Sequence, residues 1–270
     1  MTELKALKVG ILGATGAVGE QMMIVLAERI FPVAELRLFG SARSAGTKLA
    51  FKGKEYVVEE ASLERMKGLD LLLGAADNDV AKKFLPDAAK LGVTVVDNSS
   101  AFRLDPEVPL VIPEVNPEDV KWSKGLIANP NCATIIGLTA IAPLHRKAKV
   151  KRLIASTYQA VSGAGKGGID ELEAEVKAPA GTPAPCKVFP YPIAYNLIPQ
   201  IGGFNDEGYT SEEMKMQNEG RKMLHDDNLL VSCTCVRVPI IRSHSEALTI
   251  EFENEISPEE ARELLKDAPG

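Results

Sequence analysis

The chain has 270 residues, a net charge of −6, 45% apolar and 25% charged residues, and four cysteines. That length accommodates two domains with buried cores, and the ordinary composition excludes disordered, collagen-like and coiled-coil chains. The acidic balance leaves no basic footprint for nucleic acid or an anionic membrane. No apolar run reaches transmembrane length and Met1-Thr2-Glu3-Leu4-Lys5 does not read as a secretory leader, so no nucleic-acid or membrane partner is expected.

In chain order, Lys8-Val9-Gly10-Ile11-Leu12 reads as a buried parallel strand, followed by Gly13-Ala14-Thr15-Gly16-Ala17-Val18-Gly19 and a helix over 20–29. Three glycines at spacing three, between strand and helix, let backbone amides approach a pyrophosphate at a helix N-terminus. The pattern is GxxGxxG rather than GxGxxG, and a tight βα turn with no ligand is the alternative. Glu35-Leu36-Arg37-Leu38-Phe39 predicts the second strand. An NAD site would end it in an acidic residue; here it enters Gly40-Ser41-Ala42-Arg43-Ser44, where a guanidinium and two hydroxyls suit a 2′-phosphate. NADP is thus favoured over NAD, a solvated polar loop being the bland reading.

Strands over 69–74 and 93–96, with a helix over 80–91 between them, continue the alternation of a parallel, doubly wound sheet. Asp97-Asn98-Ser99-Ser100-Ala101-Phe102-Arg103 follows a strand end, where such folds bind ligands. Arg103 is either an anion holder or a surface arginine. Gly125-Leu126-Ile127-Ala128 is strand-like, and Asn129-Pro130-Asn131 is turn chemistry ahead of a long apolar helix over 133–144. Cys132 therefore stands at or just before a first helical turn. Free N–H groups and the macrodipole there favour an anion, which lowers a thiol's pKa and makes a nucleophile; a small buried hydrophobe is the competing reading.

From residue 150 the texture changes. Residues 151–161 predict a long, partly alternating strand, and Ser162-Gly163-Ala164-Gly165-Lys166-Gly167-Gly168 a flexible turn before a helix to 177. A second phosphate loop is one reading of that turn; nothing marks it as Walker-type, and a structural turn is the favoured one. Residues 178–192, rich in Pro and Ala, read as a surface connection. Thr210-Ser211-Glu212-Glu213 opens a helix to 225 with Ser211 as N-cap. A strand over 230–239, the cluster Arg242-Ser243-His244-Ser245-Glu246, a strand over 247–252 and a capped helix over 257–266 complete the chain.

Cys132, Cys186, Cys233 and Cys235 show no CxxC or Cys/His metal spacing, so no metal is expected. Cys233 and Cys235 share one strand face and suit a structural role, and the usage fits a reducing, cytoplasmic setting. Of three histidines, His145 and His225 fall on helices and only His244 lies in a polar cluster. A Cys/His pair beside a nicotinamide suggests thiol addition to an aldehyde or acyl group, coupled to hydride transfer.

These stretches resemble the bacterial aspartate-β-semialdehyde dehydrogenase family. The resemblance runs through Gly13 to Gly19, Ser41-Ala42-Arg43-Ser44-Ala45-Gly46, Asp97 to Arg103, Asn129-Pro130-Asn131-Cys132 and Ser156-Thr157-Tyr158-Gln159. It continues in Glu212-Glu213-Met214-Lys215 and in Arg237-Val238-Pro239 leading to His244-Ser245-Glu246, in the family's order over essentially the whole chain. It implies an α/β fold: an N-terminal Rossmann-like, parallel-sheet NADP-binding domain over 1–131 and an α+β catalytic and dimerisation domain over 132–270.

The resemblance also implies roles. Cys132 would be the nucleophile, His244 the general acid/base, and Gln159 with Asn131 would place substrate and oxyanion. Arg237 would pair with the substrate α-carboxylate, Glu212 with its α-ammonium, and Arg103 and Lys215 with phosphate. The expected cofactor set is Gly13, Thr15, Gly16, Ala17, Val18, Gly19, Ser41, Arg43 and Ser44, with Ser162 and Gly163 added from the glycine-rich turn. The implied reaction is reversible, NADP-dependent reduction of β-aspartyl phosphate to aspartate β-semialdehyde through a cysteine thioester. It would serve lysine/diaminopimelate, threonine, methionine and isoleucine synthesis, in a homodimer or homotetramer.

Two departures from the family stand out. Leu72-Leu73-Gly74-Ala75-Ala76-Asp77-Asn78 is not the Phe-Ser-Ala-Gly-like segment of the family, and the chain stops at Gly270 where members run on for roughly another 60 to 80 residues. A polypeptide ending there is expected to be poorly active and prone to associate. The competing readings are N-acetyl-γ-glutamyl-phosphate reductase, and a non-catalytic truncated homologue. Asn131 before the cysteine, and Arg237 seven residues before His244, favour the aspartate enzyme over the former.

Overall fold

The computed structural model describes residues 5–179, 181–183 and 185–270. The chain forms two compact units. One comprises residues up to Val111 with Glu118–Asn129; the other comprises Ile112–Pro117 with Pro130–Gly270.

The first unit contains β1 (Leu7–Leu12), α1 (Ala17–Glu28), β2 (Val33–Gly40), β3 (Lys48–Phe51), β4 (Lys54–Glu60) and the short α2 (Leu63–Met66). β5 (Leu71–Gly74), α3 (Asn78–Lys90), β6 (Thr94–Asp97) and β7 (Leu126–Ala128) follow. The sheet order is β3-β4-β2-β1-β5-β6-β7, parallel throughout except where β3 runs antiparallel to β4. Val9 and Ile11 of β1, Leu36 and Leu38 of β2 and Val58 of β4 pack with Met23 and Leu26 of α1 in one core cluster. At about 1.5–3 kcal/mol per large apolar side chain buried, this cluster holds β1 and β2 side by side and fixes the loops at their ends. The chain leaves β1 towards β2 on one side and later returns to β5 on the other. Ligand crevices of open parallel sheets form at such a reversal, here at the C-terminal ends of β1 and β5.

The β3–β4 hairpin is a finding beyond the sequence reading. Lys52 and Gly53, at φ 47° and 78°, make the two-residue turn whose twist suits a tight hairpin. β4 then runs parallel to β2 and brings Glu60 level with Gly40. The first helix begins at Ala17, three residues before the residue-20 start predicted from sequence, so the glycine run itself enters the helix.

The second unit contains α4 (Cys132–Ala148), β8 (Val150–Gln159), α5 (Gly165–Lys177), α6 (Ser211–Leu224), β9 (Leu230–Arg237), β10 (Ser245–Phe252) and α7 (Pro258–Lys266). Its sheet has the order β10-β8-β9, with β8 antiparallel to β10 and parallel to β9. The period-two alternation of strands puts Leu153, Ala155, Thr157 and Gln159 of β8 on a buried face with Cys233, Cys235 and Arg237 of β9. α4 packs on β8 and β10 and α6 on β9. Ile154 and Tyr158, on the other face of β8, stay 46% and 45% exposed. The N-cap of α6 is Thr210, not Ser211: its hydroxyl accepts from Glu213 N–H while Glu213 accepts from Thr210 N–H, a reciprocal box that the Thr-Ser-Glu-Glu run satisfies only in this register.

Candidate active site

Strand register explains how residues distant in sequence meet in the second unit. Gln159 at the end of β8 lies opposite Arg237 at the end of β9. β10 runs the other way and starts at this same end, with Ser245 opposite Tyr158, so His244 arrives beside them. One end of one sheet face therefore carries an amide, a guanidinium and an imidazole. Two helix starts complete the group. α4 begins at Cys132, which is exposed, and α6 supplies Glu212 from its first turn.

Glu212 is the hub. Its Oε1 accepts from Asn131 Nδ2 and from Gln159 Nε2, both at 2.9 Å, and its Oε2 accepts from Lys215 Nζ at 2.8 Å. Burial pushes this carboxyl up, but the Lys215 charge and the three donors outweigh it and hold the group below the usual carboxylate range. Lys215 thus lies in an ion pair, and Glu212 already holds two side-chain amides in place. Gln159 Oε1 in turn accepts from the Thr157 hydroxyl at 2.9 Å, which fixes its amide orientation.

Asn131 is a helix cap whose every polar group is used. Its Oδ1 accepts from Ala133 and Thr134 N–H, and its own N–H donates to Glu219 at 2.6 Å. The turn before Cys132 is therefore pinned from α6 at two points, Glu212 and Glu219. The second was not anticipated from sequence. Glu212 and Glu219 stand seven residues apart on one helix face, which the sequence contains, but only the packing shows that this face is buried.

His244 Nδ1 accepts from Ala160 N–H at 3.0 Å. The neutral ring then carries its proton on Nε2. Burial lowers the imidazole pKa, and the Arg237 charge lowers it further. Arg237 Nη1 donates to Ala160 O at 2.6 Å, and its guanidinium lies 6.0 Å above the Phe189 ring. A side chain at Gly163 would bring Cβ to 2.8 Å from Arg237 Nη1, so the lack of one lets the guanidinium pass. Gly163 thus lies against Arg237 in the second unit. A thiol at a helix start, with an imidazole, an oriented amide and a guanidinium at one end of the adjoining sheet face, is a set able to add to a carbonyl and to hold a carboxylate.

In the first unit a cleft of about 500 Å³ opens at the ends of β1 and β5, lined by Gly13, Thr15, Gly16, Ser41 and Ser44 on one side and by Ala75, Asp77 and Lys83 on the other. Gly13 has φ 87°, and a Cβ there would lie 2.5 Å from Ala75 O; one at Gly19 would collide with Gly13 O. Backbone thus occupies the space side chains would fill. No side chain among the described residues caps α1, whose first turn holds Ala17, Val18 and Gly19. Ser41 and Ser44 lie 3.2 Å apart through their hydroxyls, and Thr15 donates to Ser44 at 3.5 Å; Arg43 is exposed on the same turn. The cleft, the glycine backbone and the uncapped helix start fit a dinucleotide pyrophosphate. Arg103 lies elsewhere in this unit. Buried, it donates from Nε to Asn129 O and from Nη2 to Asn98 O, both at 2.9 Å, so it braces the loop after β6.

Among the described residues no helix is long and apolar enough to cross a membrane, and no three His, Cys, Asp or Glu side chains are grouped to hold a metal ion.

A doubly wound nucleotide-binding unit joined to an α+β unit on a mixed sheet is the architecture of a two-domain dehydrogenase. Family models agree: "Semialdehyde dehydrogenase, NAD binding domain" matches residues 8–123 and "Semialdehyde dehydrogenase, dimerisation domain" matches 141–270. The aspartate-semialdehyde dehydrogenase of Aquifex aeolicus is 53% identical over 268 residues, covering 97% of this chain and 79% of that protein. A crystal structure of aspartate-semialdehyde dehydrogenase II from Vibrio cholerae, complexed with ASA, superposes with a TM-score of 0.94 at 43% identity, over 99% of this chain and 80% of that one. The Candida albicans enzyme with NADP superposes at 0.72 and 25% identity, over 97% and 76%. The chain belongs to the aspartate-semialdehyde dehydrogenase family.

Proposed function

We propose that the chain interconverts aspartate β-semialdehyde and β-aspartyl phosphate, using NADP and phosphate and a thioester on Cys132. The observation that carries this reading is the convergence of Gln159, Arg237, His244 and the Cys132 turn at one end of one sheet face. In the oxidative direction the Cys132 thiolate attacks the aldehyde carbon, and His244 handles the proton of the resulting oxygen. Gln159, held by Glu212 and Thr157, orients the substrate and its oxygen. Arg237 receives the α-carboxylate in a two-pronged pair that lysine cannot reproduce. The hydride lost from the carbon bonded to Cys132 Sγ, which leaves the thioester, would pass to NADP⁺, the two-electron acceptor this reaction needs. Phosphate then attacks the thioester carbon, releasing β-aspartyl phosphate and restoring the thiolate.

For the nucleotide, Gly13, Thr15 and Gly16 with the α1 start would hold the pyrophosphate, and Ser41, Arg43 and Ser44 the 2′-phosphate. The NADP named with the Candida relative supports that choice over NAD. We assign the amino-acid pathway from the family: the reductive direction would supply lysine/diaminopimelate, threonine, methionine and isoleucine synthesis. A homodimer is the proposed assembly. The dimerisation-domain match spans 141–270, and Ile154, Tyr158 and Leu230 leave apolar side chains exposed on the three-stranded sheet. Four free cysteines and a thiol mechanism suit a reducing cytoplasm.

The reading is tested by following NADPH formation with aspartate semialdehyde and with N-acetylglutamate semialdehyde at matched concentrations, with and without phosphate. Phosphate-dependent turnover of the first substrate is expected. Preference for the second would move the assignment to the N-acetyl-γ-glutamyl-phosphate reductases, and no turnover of either would favour a non-catalytic homologue.

A further inference from the structure

The segment 187–194 lies in the second unit between α5 and Arg237 and belongs to no helix or strand. Pro190 and Pro192 have no N–H, so its backbone offers six donors, those of Lys187, Val188, Phe189, Tyr191, Ile193 and Ala194. Five of these six end on two carboxylates of α5. Glu171 Oε2 accepts from Lys187 at 2.9 Å and Val188 at 2.8 Å, and its Oε1 accepts from Phe189 at 3.2 Å. Glu175 Oε2 accepts from Ile193 and Ala194, both at 2.8 Å. Glu171 is 6% exposed, so these are charge-assisted bonds sheltered from water, the strong kind. The two residues stand four apart, one turn of α5, and so reach the segment at two successive points.

The segment in turn builds one wall of a cavity of about 490 Å³, lined by Lys187, Val188, Phe189 and Pro190 with Gln200 and Arg237. Phe189 is 6% exposed, belongs to a core cluster with Leu172 and Ile193, and carries the Arg237 guanidinium over its ring face. A guanidinium over an aromatic face is held in plane and partly desolvated, which favours two-pronged pairing with a carboxylate. The position of the Phe189 ring follows from its own backbone, and that backbone hangs from Glu171.

We propose that Glu171 and Glu175 are positioning residues for the amino-acid substrate: they peg the 187–194 segment so that Phe189 and Arg237 form a preset carboxylate pocket. The proposal rests on the reading of Arg237 as the carboxylate partner. It concerns binding of one substrate only, because neither glutamate touches the thiol or the cofactor set. In Glu171→Gln the amide keeps one acceptor oxygen and turns an N–H₂ towards a backbone N–H, so at least one peg is lost.

Steady-state kinetics of the full chain test this. Glu171→Gln should raise the KM for aspartate semialdehyde about tenfold while kcat falls less than about threefold and the KM for phosphate stays put, the pattern of lost ground-state binding. In an Arg237→Lys background the same substitution should add less than about twofold, because two residues acting through one pocket are not additive. Hydrogen exchange supplies the second readout: the amides of 187–189 should exchange faster in Glu171→Gln, with protection of β8 and β9 unchanged. Faster exchange with an unmoved KM would overturn the proposal. So would a KM effect that persists in full beside Arg237→Lys, or a parallel loss of kcat and of every KM. Absence of turnover in the unsubstituted chain would overturn the functional reading, and this proposal with it.

Discussion

The starts of α1 and α4 make an instructive pair. Both helices follow a parallel strand of the first unit's sheet, and both present the positive end of a helix dipole. At α1 the N-cap is Gly16, no side chain among the described residues caps the first turn, and glycine backbone clears a cleft in front of it. At α4 the N-cap is Asn131, whose side chain accepts from Ala133 and Thr134 and whose own N–H and amide are tied to Glu219 and Glu212. The same dipole therefore stands in two settings, one open and one tied down. An open start suits an anion that arrives and leaves, as a dinucleotide does. The capped start is fixed in place from α6, and the residue it carries is Cys132.

The largest break in that comparison is removal of the Cys132 thiol. Cys132→Ala should lower kcat by at least about 10⁴-fold, as loss of a nucleophile does, while the NADP dissociation constant measured by fluorescence titration stays within about twofold of the original. Substantial residual turnover would mean that another group attacks the substrate.

The open start is broken by filling it. Gly13→Ala places a Cβ 2.5 Å from Ala75 O in a backbone region that disfavours side chains. NADP affinity should fall roughly 30-fold or more, since the pyrophosphate loop must shift, whereas the rate of Cys132 alkylation by iodoacetamide should not change. A smaller, sharpening effect comes from Arg43→Ala. It should weaken NADP about tenfold more than NAD, because only NADP has the 2′-phosphate; equal losses would remove Arg43 from the cofactor set.

The smallest effect concerns the underside of α4. Glu246 of β10 packs against Gly137, both its oxygens are buried, and burial pushes its carboxyl up to about 7 from an ordinary 4.5. A folded pKa raised in this way gives stability that is fully present below the unfolded value and is lost as the pH climbs through about 7. Glu246→Gln should therefore match the original melting temperature at pH 5 and exceed it by about 3–6 °C at pH 8.5. A difference that does not vary with pH would place the charge elsewhere.

Local chemistry was legible in the sequence. The apolar run 8–12 announced β1 and its glycines the turn before α1, whose start was placed three residues late; Asn129-Pro130-Asn131 put Cys132 at or just before a first helical turn, and it is the first residue of α4. What stayed hidden depended on pairing. The hairpin at Lys52-Gly53 was not read from the sequence, and nothing local says that β4 lies beside β2 and lends Glu60 to the cleft. Residues 178–192 read as a surface connection, whereas Phe189 is core and its backbone hangs from Glu171. Glu171 and Glu219 look like ordinary helix-surface acids, and Glu212 was marked by the family resemblance alone; only burial shows each to be a peg for another segment's backbone or amides. The Lys215 ion pair with Glu212 and the loop contacts of Arg103 likewise come from packing.

The central claim is that the capped start of α4 holds the group that becomes acylated. Mixing the chain with aspartate semialdehyde and NADP in phosphate-free buffer, followed by acid quench and peptide mass spectrometry, tests it most directly. The account predicts a rapid burst of NADPH and an aspartyl adduct on the peptide containing Cys132, discharged when phosphate is added. A burst without an adduct on Cys132, or an adduct on any other side chain, would contradict it.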